Sequence, residues 1–190
     1  MKLPPLLEPI FQQWRIKQIW PDLPKGGVLV DLGCDEPPEL INRAEKRFDQ
    51  IIGIDTAVKP YQKGKVTVKQ QILGHKINLP AQTADVVTML AVLEHLTYPK
   101  TIIQEIFRIL KPGGKVLITV PSRYNRPLLT LLAGLGLVRP EMIKQHQHYF
   151  TPIRLKQMLI QAGFKQIEVK YFEWGLNIKV KAIREADERS

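Results

Sequence analysis

Four segments of the chain carry side chains at spacings that could do chemistry. Asp31, Gly33, Cys34 and Asp35 close an apolar run in the order DLGCD, and Asp55 closes a second run in GID. Glu94 and His95 stand in AVLEHL, while His146 and His148 alternate in QHQHYF. A carboxylate at the end of a buried strand offers two oxygens to both hydroxyls of a ribose, each charge-assisted bond contributing about 1.5–3 kcal/mol. A glycine at a neighbouring turn lets a ligand approach the backbone closely. Together these groups point to an adenosine-containing cofactor, although an Asp after a strand serves equally well as a turn residue. Histidine takes up a proton near neutral pH, so His95, His146 and His148 are the candidate bases, with Glu94 beside them. In an extended segment His146 and His148 share one face. A metal site would need Glu94 as a third ligand, and none is expected.

These groups can act together only if regular elements deliver them to one place. Residues 28–32, 51–54, 85–90 and 116–120 are short apolar runs suited to strands covered on both faces. Val66 and Val68, extending toward Ile72, alternate as a further strand. Leu7, Ile10, Phe11 and Trp14 recur at helical spacing before Pro21 and Pro24. Leu40, Ile41, Ala44 and Phe48 do the same after Pro38. A helix carrying Ile102, Ile103, Ile106, Phe107 and Leu110 is expected to be capped by Thr97 or Thr101 and stopped by Pro112, Gly113 and Gly114. Thr151 and Pro152 open a last helix that Gly163 ends. Ile167, Val169 and Tyr171, then Leu176, Ile178, Val180 and Ala182, alternate around Trp174 and Gly175 as an antiparallel pair. Strands alternating with helices give a doubly wound, three-layer α/β fold with a mainly parallel sheet. In such a fold ligands bind beyond the carboxyl ends of the strands, where the candidate segments fall.

With 190 residues the chain is expected to be one domain, 1–190, in which residues 1–25 form an N-terminal helix and turn. Its 44% hydrophobic and 24% charged residues exclude a mostly disordered protein. Twenty-eight Lys and Arg against eighteen Asp and Glu leave +10, which attracts anionic partners. The single cysteine, Cys34, excludes a disulfide framework and a multi-cysteine zinc site, and suits a reducing, cytoplasmic setting. The first residues lack a secretory pattern, and the apolar stretch 127–138 is shorter than the roughly 20 residues that span a bilayer. No ordered basic and aromatic motif for nucleic acid is present, so no specific nucleic-acid partner is expected. The three-glycine fingerprint of dinucleotide enzymes is also missing.

The stretches LPKGGVLVDLGC, IIGID, Leu79-Pro80, ADVVTMLAVLEHL, RILKPGGKVLITVPS and HYFTPIRLKQMLIQAGF follow one another in an order that resembles a known family. This is the class I S-adenosylmethionine-dependent methyltransferases, and within it the type 11 group that includes quinone-biosynthesis enzymes. The resemblance implies a Rossmann-like, seven-stranded sheet whose last strand is antiparallel. It implies transfer of a methyl group from S-adenosylmethionine to oxygen or carbon of a small or lipid-linked acceptor. Asp31, Gly33 and the loop at Cys34 and Asp35 would face the methionine part of the cofactor, and Asp55 would hold the ribose. His75 and Lys76 would lie beside the adenine, with Leu90 and Ala91 lining the floor near the sulfonium. His146 and His148 would stand on the substrate side, and residues 123–148 would build either a lid over the acceptor or an ordinary packed helix.

Two positions depart from the family pattern. Asp35 stands where the family has a second glycine, and Glu36, Pro37 and Pro38 follow it. Two carboxylates about 4 Å apart at an effective dielectric of about 20 repel by about 4 kcal/mol, so Asp35 must turn outward or weaken the cofactor. His75 replaces an acidic residue that accepts from the adenine amino group, a role that neutral imidazole can fill through one nitrogen. The rival expectation is a catalytically inactive methyltransferase-like binding or scaffold protein. Arg123, Arg126, Arg139 and Lys144 flank a Leu-rich centre and suit either peripheral contact with an anionic membrane surface or a negatively charged substrate.

Overall fold

The computed structural model of the chain describes residues 8–122 and 150–186. Eight strands form one sheet in the order β3-β4-β2-β1-β5-β6-β8-β7. They are β1 (Val28–Leu32), β2 (Gln50–Asp55), β3 (Tyr61–Lys63), β4 (Val66–Gln70), β5 (Ala84–Leu90), β6 (Leu110–Pro121), β7 (Lys165–Phe172) and β8 (Asn177–Ile183). Pairing is parallel from β4 through β6, and β8 runs antiparallel to both β6 and β7. The eighth strand, one more than expected, is β3, three exposed residues antiparallel to β4 at the sheet edge.

Alternate residues of each central strand feed opposite cores, as the period of two requires. Val30, Ile52, Val87 and Ile118 pack with α3 (Pro99–Ile109) and α4 (Pro152–Ala162) on one face. Leu29, Ile51, Val86 and Leu117 pack with α1 (Glu8–Ile19) and α2 (Glu39–Ala44) on the other. The three-layer, doubly wound architecture expected from the sequence is therefore present.

Local details differ where tertiary contacts outweigh pattern. Helix α1 buries Ile16 and Ile19, whereas Ile10 and Trp14 are each 42% exposed, because the helix docks through its C-terminal half. Neither Thr97 nor Thr101 caps α3. Pro99 takes the first turn, where its missing N–H costs nothing, and Tyr98 flanks it without a side-chain cap. Pro112, Gly113 and Gly114 lie inside the long strand β6, where the register against β5 shifts between Ala84 and Val86. Ile72 lies beyond β4 and is 79% exposed. Thr151 does cap its helix, accepting from the Arg154 N–H at 3.3 Å, and Gly163 ends it in the left-handed region.

Candidate active site

The chain passes from β1 outward to β2 and β4, then crosses to β5 on the other side, so the strand order reverses between β1 and β5. Asp31, Gly33, Asp55, Leu90 and Ala91 are brought to the carboxyl edge at this point. Asp31 is buried, and its Oδ1 accepts from the Thr88 hydroxyl at 2.7 Å. Burial pushes its carboxyl up to about 7, Thr88 opposes the shift, and the charges of Asp55 and Asp35 add to it. Gly33 has φ 79° and donates to the Ile54 carbonyl at 2.7 Å. A Cβ there would lie 2.2 Å from Val92 Cγ2, so Val92 occupies the space that the missing side chain leaves.

The next two residues part company. The Cys34 side chain is buried in the core, and a Cβ on Gly53 would lie 2.9 Å from its sulfur. Burial, followed by the charges of Asp31 and Asp55, pushes the thiol up to about 12, so it stays protonated. Its side chain faces the core, which leaves its backbone for the contact expected with a cofactor. Asp35 is exposed and takes φ 61°, a left-handed conformation that glycine adopts at least cost. Its carboxylate accepts from the Glu36 N–H at 2.8 Å, and its own N–H donates to Asp55 Oδ2 at 3.2 Å. Asp55 Oδ1 accepts from the Ala57 N–H at 2.9 Å and the Thr56 hydroxyl at 3.5 Å.

Across the cleft, half-buried Ala91 takes φ 56° and donates its N–H to the Thr119 carbonyl at 2.8 Å. A non-glycine residue in this region costs about 1–3 kcal/mol, and such strain concentrates at functional sites. The turn Leu93–His95 follows. Glu94 is buried, its Oε2 has no hydrogen-bond partner, and burial pushes it up to about 7 against a backbone hydrogen bond and the charge of Arg15. His95 Nε2 lies 3.9 Å from Glu94 Oε1, with the histidine side chain 35% exposed. His75 and Lys76 are exposed, and the His75 ring lies on Tyr98 with centroids 3.9 Å apart.

Over residues 12–169 the sequence matches the methyltransferase-domain family. The chain belongs to that family. The methyltransferase domain is 30% identical over 158 residues to a ubiquinone biosynthesis O-methyltransferase of Idiomarina loihiensis, a match covering 76% of this chain and 64% of that protein. It is 25% identical to the namesake of Aeromonas salmonicida, over 82% of this chain and 72% of the relative. The chain thus spans about two thirds of the length of these relatives. Its fold is that of an S-adenosylmethionine-dependent methyltransferase from Mesorhizobium loti, with a TM-score of 0.69 and 19% identity over 88% of this chain and 96% of the other.

The donor and acceptor set of the methyltransferase domain fits S-adenosylmethionine. A carboxylate offers about four acceptor positions. Asp55 spends two on its own turn and a third on the long contact from Asp35, so it can still accept from a ribose. Asp31 and Ala91 flank the crevice, while His146 and His148 and the expected lid at 123–148 lie outside the described residues. Among the described residues no group of three or more His, Cys, Asp or Glu could hold a metal ion, and no helix is long and apolar enough to cross a membrane. Sequence reasoning noticed Glu94 as a neighbour of the histidines and as the third ligand a metal site would need, and missed Glu173 and Asn177, which flank the Trp174-Gly175 turn. The Glu-Trp-Gly-Leu-Asn spacing marks a hairpin turn but does not reveal which way its polar side chains face.

Proposed function

We propose that this chain transfers a methyl group from S-adenosylmethionine to oxygen or carbon of a small or lipid-linked acceptor. The observation that carries the reading is the Asp55 carboxylate, half-exposed at the tip of β2 beside the Gly33 turn, on the edge where the strand order reverses. Asp55 holds the ribose, the backbone of residues 33–35 receives the methionine end, and His75 and Lys76 border the adenine. Leu90 and Ala91 form the floor. When bound, the cofactor supplies a methyl group already activated by a sulfonium.

The chain's own residues then have three tasks: hold the acceptor in line, keep water out and take its proton. Positioning alone can contribute several kcal/mol, of the roughly 7–11 kcal/mol that oriented intramolecular reactions display. His146 and His148, on the substrate side, are the preferred bases, and His95, whose Nε2 lies 3.9 Å from Glu94 Oε1, is the candidate among the described residues. The positive net charge favours peripheral contact with an anionic membrane, which would bring a lipid-linked acceptor within reach. The supporting relatives are named as ubiquinone biosynthesis O-methyltransferases.

Titration with S-adenosylhomocysteine by calorimetry tests the reading, with saturable binding expected and an absence of heat at millimolar ligand counting against it. A second reading, an inactive scaffold, is favoured by the contact between the Asp35 N–H and Asp55, which occupies part of the ribose carboxylate. Asp55→Ala separates the two. It abolishes cofactor binding in the enzyme and leaves partner binding untouched in a scaffold.

A further inference from the structure

Three unsatisfied acceptor oxygens stand on loops and strand ends at the carboxyl edge: Glu94 Oε2, Glu173 Oε1 and Asn177 Oδ1. The Thr119 hydroxyl, also buried and unsatisfied, lies on β6 between them. The connectivity places these groups on neighbouring strand ends of one sheet edge. Leu90 pairs with Thr119 across β5 and β6, and Pro121 pairs with Asn177 across β6 and β8. The β7–β8 turn is pinned to the same edge, where the Ser122 N–H donates to the Leu176 carbonyl at 2.8 Å and its hydroxyl to the Gly175 carbonyl at 2.6 Å. The charge of Arg15 on α1 acts on both Glu94 and Glu173, against the effect of burial.

The polarity of the site follows from one hydrogen bond. Asn177 Nδ2 donates to Glu173 Oε2. The amide is thereby fixed with its oxygen turned away from Glu173 as a free acceptor, and the second oxygen of Glu173 is left free as well. A buried acceptor without a partner is costly, so a native edge that carries several is suited to meet donors from elsewhere. Hydroxyl groups supply such donors without charge. An ammonium would bring a charge into a buried site.

Building on the methyltransferase reading, we propose that Glu94, Glu173 and Asn177 form a subsite that takes free hydroxyl groups of the methyl acceptor. Glu173 and Asn177, delivered by the terminal hairpin, are then specificity-determining residues. The subsite selects acceptors that still carry hydroxyls over those in which the same oxygens are ethers or carbonyls.

The test is an NMR titration of the full chain with catechol, benzylamine and 1,2-dimethoxybenzene, with and without saturating S-adenosylhomocysteine. Catechol is expected to bind at least about tenfold more tightly than its donor-free ether. Glu173→Gln should cut that preference at least about fivefold, because one NH2 of the new amide pair must face the subsite whichever amide turns. Glu94→Gln should lower it as well, and the S-adenosylhomocysteine affinity of Glu173→Gln should match the parent, which also certifies its fold. Equal binding of catechol and the ether, a preference unchanged in both variants, or tighter binding of benzylamine overturns the proposal. Loss of S-adenosylhomocysteine binding by the parent chain would instead strike the cofactor reading, while the titrations without it still decide the subsite.

Discussion

The backbone N–H of Asp35 donates across 3.2 Å to the carboxylate of Asp55, so the loop after β1 is tied to the tip of β2 by the residue that would hold the ribose. Asp35 makes this contact in a left-handed conformation at φ 61°, which costs a residue with a Cβ about 1–2 kcal/mol relative to glycine. Its carboxylate, on an exposed loop, accepts from the Glu36 N–H at 2.8 Å, in keeping with the outward-turned alternative expected for it.

Asp35→Gly should therefore act twice. It relieves the backbone and removes a negative charge from the rim of the crevice. We expect stability to rise by about 0.5–1 kcal/mol, read from urea midpoints, and S-adenosylhomocysteine to bind several-fold more tightly by calorimetry. Weaker binding in this variant would mean that the Asp35 carboxylate contributes a contact of its own.

Gly33 is fixed by sterics within the protein itself. At φ 79° with Val92 Cγ2 2.2 Å from a would-be Cβ, Gly33→Ala must strain the backbone and displace Val92. The expected loss is about 2–4 kcal/mol, from left-handed strain together with the overpacking of a close contact. Adding Val92→Ala should restore part of it, with a coupling of about 1 kcal/mol or more in a double-mutant cycle. Strictly additive losses would show that the clash is not with Val92.

Asp31 and Glu94 set a pH dependence of stability. Both are raised by burial from ordinary values of 3.8 and 4.5 to about 7. In the window from about 4 to about 7 the folded chain holds more protons than the unfolded chain, so unfolding free energy falls as pH rises and levels off above it. Thermal midpoints should be higher at pH 5 than at pH 8, and Asp31→Asn or Glu94→Gln should each flatten the curve. A midpoint that climbs from pH 5 to pH 8 contradicts the burial of these carboxyls.

Helix capping gives a paired control. Thr151→Ala removes the acceptor for the Arg154 N–H and should lower stability by about 1 kcal/mol. Thr97→Ala, at an exposed position that caps nothing, should fall within about 0.5 kcal/mol of the parent. The comparison is read from denaturant midpoints at a common slope.

Periodicity and punctuation in the sequence determined the architecture. Apolar runs such as 28–32 and 85–90 suit strands covered on both faces, and Thr151, Pro152 and Gly163 bracket their helix through local backbone chemistry. The order of Asp31, Gly33 and Asp55 along the chain sufficed to place them at one sheet edge, because strand polarity fixes which ends meet a ligand. What tertiary structure alone decided is where side chains point and what they meet there. Cys34 turns into the core against Gly53, Val92 fills the space beside Gly33, and Asn177 is held by Glu173 with its oxygen free. These outcomes depend on contacts between residues far apart in sequence, such as the 59 positions that separate Gly33 from Val92. No local pattern encodes such contacts, because their energy exists only once the strands and the hairpin have been brought to the same edge.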